Sequence, residues 1–167
     1  MKYRKLELQD LFNYGKDILR CYECNHFVLD EQSPIIPDLD FVRGFVDSPD
    51  SMVIGVFDDK EKYLYGLIIF DNIRFGNKES CAEVHIINDK AIWGRKVRDL
   101  YTEVLNSSIF TTLYCQIPQI AVAAIALCKR LGFKKTGYIP NALPYTNSRG
   151  EENMYDINIM CWRKDKN

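Results

Sequence analysis

Between positions 52 and 87 the chain carries three apolar runs in close succession, residues 52–57, 63–73 and 80–87, separated only by Asp58-Asp59-Lys60-Glu61 and by a polar segment containing Gly76-Asn77. All three are rich in β-branched and aromatic residues, which suit a pleated strand, and the first spacer has the length of a hairpin loop. The expected nucleus is therefore three neighbouring antiparallel strands. Such a sheet has apolar faces that other elements must cover.

The covering elements are legible in the flanks. Residues 3–8 read as a first strand. Residues 11–24 then place Leu11, Tyr14, Ile18, Cys21 and Tyr22 on one face of a helix. Pro34 and Pro37 break the chain, and Asp38 is placed to cap a short helix carrying Leu39, Val42, Phe45 and Val46, which Ser48-Pro49-Asp50 ends. After the third central strand, residues 90–106 set Val97, Leu100, Tyr101, Val104 and Leu105 at helical spacing. Residues 111–117 return to strand composition, Pro118 and Gly132 bound a helix over 119–131, and two strands at 133–139 and 154–162 close the chain. The stretches 25–37 and 141–152 are expected to be loops. The order βααβββαβαββ predicts an α/β sandwich, one sheet with helices on both faces, as a single domain over residues 1–167.

Charge and composition exclude several classes. With 22 Lys plus Arg against 23 Asp plus Glu, no whole-surface basic field exists to bind nucleic acid, although a local basic site stays open. The longest apolar stretches, 63–70 and 120–128, fall far short of the ~20 residues that cross a bilayer, so no membrane span is expected. The first ten residues hold neither a signal-peptide core nor a transit pattern, which predicts a cytoplasmic protein. Six cysteines in such a chain read as reduced thiols rather than a disulfide framework. Cys21, Cys24 and His26 have the spacing of half a zinc site, but no second pair follows and no metal is expected. No G-x-S-x-G, P-loop or H-E-x-x-H pattern occurs, leaving hydrolase, NTPase and zincin readings without support.

The segment from Ala121 to Gly137, with Ala124, Leu127, Lys129 or Arg130, Leu131, Gly132 and Phe133, resembles the penultimate helix and following strand of the GNAT superfamily of acyl-CoA-dependent N-acetyltransferases. A second segment, from Glu83 through Asp89, Trp93 and Gly94 to Arg95, is similar to the stretch that leads into the pyrophosphate loop in the ribosomal-protein and drug-modifying branches of that family. The resemblance spans most of the chain. It implies a central mixed, mostly antiparallel sheet of six to seven strands, acetyl-CoA as co-substrate, and an amine on a small molecule or protein as acceptor. A homodimer stays open. The combination of altered glycines with this helix end is also similar to small GNAT-like proteins of bacteriophages, some described only as head-assembly or internal virion proteins.

The resemblance also implies site residues. The cofactor would lie between strands 80–87 and 111–117, with the backbone of Val84, Ile86 and Ile87 holding the pantetheine as an extra strand would. The diphosphate would meet Trp93, Gly94, Arg95, Lys96, Val97 and Arg98 where a helix begins with unpaired amides and a positive dipole end. Lys96 and Arg98 stand where the family has glycine and a small residue. Those side chains could contact phosphate directly, or form a solvated basic first turn. Ala121 replaces an Asn that often contacts the pantetheine, and Ala124 matches the family alanine.

Attack by an amine on a thioester requires a base, and Glu83 and His85 share one strand face beside the expected acyl group. Each could instead be an ordinary strand residue. Cys128 stands where a Tyr often protonates the departing thiolate; it could donate a proton or serve as a small core side chain. Tyr138 and Tyr145 are weaker candidates for acid or substrate contact. Acidic residues near the expected loops, Glu23, Asp30, Glu31, Glu151 and Glu152, fit a cationic amine and fit solvated loops equally well. A non-catalytic GNAT-fold binding or structural protein is the rival reading, carried by Lys96, Ala121 and Cys128.

Overall fold

The structure, a computed structural model, describes residues 1–23, 39–89, 95–146 and 149–164, with backbone alone at positions 95 and 96. Its elements run β1 (Lys2–Lys5), α1 (Leu8–Glu23), α2 (Leu39–Asp47), β2 (Met52–Phe57), β3 (Leu64–Phe75), β4 (Ser80–Asn88), α3 (Arg95–Ser107), β5 (Thr112–Pro118), α4 (Val122–Arg130), β6 (Lys134–Thr146) and β7 (Glu152–Arg163). The predicted order holds. The loop expected at 25–37, the cap at Asp38 and the first turn expected at 90–94 lie outside the described residues.

Seven strands form one sheet in the order β1-β2-β3-β4-β5-β7-β6. The β4–β5 pair is parallel and the others are antiparallel. Alternation along each strand divides the apolar side chains between two cores. Ile68 and Phe70 of β3 and Val84 of β4 join Val97, Leu100 and Tyr101 of α3 and Cys128 of α4 on one face. Leu67 and Ile69 of β3 and Ile87 of β4 join Ile18, Cys21 and Tyr22 of α1 and Val42 of α2 on the other. At Gly66 of β3, a side chain would bring its Cβ to 3.0 Å from the Ile87 carbonyl and 3.1 Å from Tyr101 Oη, so glycine lets β4 and α3 approach this closely.

Cap chemistry sets the start of α1. Asp10 in its first turn accepts the Glu7 backbone N–H at 2.9 Å, satisfying a donor that the helix itself cannot pair. Arg4 of β1 donates to both Asp10 oxygens, at 2.7 and 2.8 Å, tying strand to helix. At the far end of the chain, Gly132 closes α4 with φ of 91°, a conformation that costs other residues dearly.

Two expectations change. Pro118 ends β5 instead of opening a helix, and α4 starts at Val122 after a turn closed by the bond from Ala121 N–H to the Pro118 carbonyl. The loop expected over 141–152 is largely strand, because β6 continues to Thr146 and β7 begins at Glu152. The pairing of β6 with β7 has an irregular step between Ile139 and Leu143. There Asn141 takes φ of 47° and its N–H is accepted by Asp156 Oδ1 at 3.1 Å, after which pairing with β7 resumes at Leu143.

Candidate active site

The parallel ladder between β4 and β5 covers only Cys81↔Thr112, Ala82↔Leu113 and Glu83↔Tyr114. Beyond that point β4 runs on to Asn88 and β5 to Pro118 with no further mutual pairing among the described residues. A cavity of about 350 Å³ opens where they part. Val84 and Ile86 form one wall, Cys115 and Ile117 the opposite one, and Ala121, Ala124 and Cys128 line it from the α4 side. Small side chains on the helix are what leave the volume unfilled.

Glu83 sits at the fork. It is 8% exposed and lines the cavity, so its carboxylate is held largely out of water. Its Oε1 accepts from Gln116 Nε2 at 3.4 Å and its Oε2 from Asn72 Nδ2 at 3.3 Å. Asn72 takes φ of 50° within the irregular stretch of β3 that faces β4. Both donors are neutral amides, so the carboxylate retains acceptor capacity for a further proton. Opposite it, burial and then the Glu83 charge push the Tyr114 phenol up from its ordinary value, which keeps that hydroxyl protonated. His85 is half-buried and lines the same cavity.

Cys128, near the end of α4, brings its Sγ to 3.8 Å from Cys115 Sγ of β5. The contact with Cys128, then burial, push the Cys115 thiol up. That same contact draws the Cys128 thiol down while its burial opposes the change.

No protein-family model matches the sequence, and no curated protein matches it either. Solved structures do match the fold. Spermidine N-acetyltransferase from Vibrio cholerae, in complex with CoA and spermine, is similar with a TM-score of 0.73 at 18% identity, over 98% of this chain and 95% of that one. Ribosomal-protein-S5-alanine acetyltransferase from Vibrio fischeri is similar with a TM-score of 0.72 at 13% identity, over 98% and 92%. An N-acetyltransferase from Staphylococcus aureus gives 0.66 at 12%, over 97% and 96%.

The chain has the GNAT fold.

Within that GNAT fold, the residues singled out from sequence are placed differently from one another. Glu83, Val84, His85, Ile86, Ala121, Ala124 and Cys128 come together around the cavity. Ile87 and Val97 do not: Ile87 is buried against the α1 side of the sheet and Val97 beneath α3, so strand alternation and helix periodicity turn their side chains into the cores and leave only backbone to offer. Arg98 pairs with its neighbour Asp99 at 2.9 Å, which offsets part of its charge. The backbone of Arg95 and Lys96 forms the first turn of α3. Trp93 and Gly94 lie outside the described residues, as do Cys24 and His26, while Cys21 is fully buried in the α1 core. Tyr145 lines the cavity and Tyr138 is exposed on β6.

Sequence reasoning missed Gln116 and Cys115. Gln116 is the polar interruption of an otherwise apolar strand, and that was the available signal; its meaning depends on which strand lies beside it. From sequence Cys115 reads only as one more reduced core thiol.

Proposed function

We propose that this protein is an N-acetyltransferase that moves the acetyl group of acetyl-CoA to an amine by direct attack within a ternary complex. The observation that carries the reading is the fork between β4 and β5, with an apolar cavity inside it and a buried carboxylate, held by two neutral amides, at its apex. The β5-facing edge of Val84–Ile87, whose other edge pairs with β3, offers N–H and C=O groups to an amide-bearing chain lying in the gap, as an added strand would. A pantetheine arm has that character. The opening amides of α3, from Arg95 to Arg98, are our candidates for the diphosphate.

In the reaction, Glu83 accepts the proton lost by the attacking amine, directly or through one water. The C–N bond forms as the C–S bond breaks, and the departing thiolate takes a proton. Cys128 is our candidate donor, with Cys115 hydrogen-bonded beside it. The acceptor is an amine on a small molecule or a protein. The two Vibrio enzymes are named for different acceptors, spermidine and a ribosomal protein, and 13–18% identity transfers neither.

The test is a thermal-shift titration with acetyl-CoA, using CoA and desulfo-CoA for comparison. Saturable stabilisation is expected, reaching about 2.7 kcal/mol when ligand stands at ~100 times its dissociation constant. No shift at millimolar acetyl-CoA would mean that the fold serves another purpose.

A further inference from the structure

Cys115 and Cys128 come from two different walls of the cavity, the middle of β5 and the end of α4, and meet at 3.8 Å between sulfurs. A disulfide has its sulfurs about 2.05 Å apart, so each would move by roughly one ångström to form it. Both side chains are buried against protein, at 6% and 8% exposure, yet both border an open cavity that a small solute can enter. The remaining described thiols, Cys21, Cys81 and Cys161, are placed differently, Cys81 standing opposite Thr112 at the start of the β4–β5 ladder. Cys21 lies in the opposite core, where burial pushes its thiol up to about 12. Cys161 pairs with Tyr114 across the β5–β7 ladder, which puts it on the sheet face away from Cys115.

We propose that Cys115 and Cys128 are an oxidisable dithiol, which a small peroxide entering the cavity converts into an intramolecular disulfide. In the first step the Cys128 sulfur attacks the peroxide; an S–O bond forms, the O–O bond breaks, and the departing hydroxide takes up the thiol proton as water. In the second, the Cys115 sulfur attacks the sulfenic acid; the S–S bond forms, the S–O bond breaks, and a second water leaves with the Cys115 proton. Two thiols lose two electrons and two protons, and one hydrogen peroxide becomes two waters. The product is the same whichever of the two sulfurs attacks the peroxide first. Closure links β5 to α4 across the cavity wall and removes the Cys128 proton. Its effect on acetyl transfer rests on the function proposed above, whereas the bond itself does not.

The full chain offers a direct readout, because residues 99–129 contain no internal Lys or Arg and hold Cys115 and Cys128 as their only cysteines. Folded protein is treated with hydrogen peroxide, alkylated under denaturing conditions and digested with trypsin. The expected product is this peptide without alkyl groups and lighter by two hydrogens, restored to the doubly alkylated form by dithiothreitol. In Cys115→Ala the bridge cannot close, and the peptide lighter by two hydrogens is expected to be absent. Full alkylation of both cysteines, under peroxide exposure that oxidises a reference protein thiol, would overturn the proposal. So would bridging of either one to Cys161. Acetyl-CoA stabilisation is measured on reduced and oxidised samples in parallel. If the reduced protein gives no shift while the bridge still forms, the acetyltransferase reading fails and the dithiol stands.

Discussion

Glu83 is a carboxylate at the last paired step of a parallel ladder, buried and accepting from two neutral amides. Replacing it with Gln keeps size and polarity but removes the ability to take a proton from an ammonium-forming amine. Glu83→Gln should therefore retain acetyl-CoA stabilisation while kcat for an acceptor found by an amine screen falls by about 100-fold or more. Equal turnover in wild type and variant would move the base to His85 or to solvent. Sequence alternation was enough to put Glu83 and His85 on one strand face. It was not enough to bury Glu83 or to supply Asn72 and Gln116, which come from β3 and β5.

At the scale of elements, α1 illustrates how a start signal is fixed by a partner outside the helix. Asp10 accepts from Arg4, which holds its carboxyl below the ordinary value near 3.8 despite burial. A depressed folded-state value means stability that is present above the ordinary carboxylate range and is lost as pH falls through the lower folded value. Asp10→Asn should lower unfolding free energy by about 1–2 kcal/mol at neutral pH, a figure reduced because Arg4 is partly exposed to solvent. Chemical denaturation at several pH values should show the gap between wild type and variant closing below pH ~4. The helix itself was legible from periodicity. Its first turn, three residues earlier than the apolar face begins, was not, because the Arg4 bonds that hold Asp10 in place depend on β1 lying alongside.

For the whole molecule, the decisive feature is the cavity, and its volume depends on small side chains along α4 facing two strands that diverge. Ala124→Trp should fill it: the thermal shift with acetyl-CoA should vanish, while the unliganded melting temperature and circular dichroism stay close to wild type. A full shift in that variant would place the cofactor elsewhere. The sequence by itself determined the order of strands and helices and the two faces of each, since periods of two and 3.6 are local properties of the chain. It also determined that Ala121, Ala124, Glu83 and Cys128 were the positions to watch, through a resemblance carried by a helix end and a strand. Only tertiary structure decided that β4 pairs with β5 for three steps and then leaves it, that Gln116 meets Glu83, and that Cys115 meets Cys128. Those contacts join segments remote along the chain. Their geometry is set by strand register and by how α4 packs on the sheet, which no local pattern encodes.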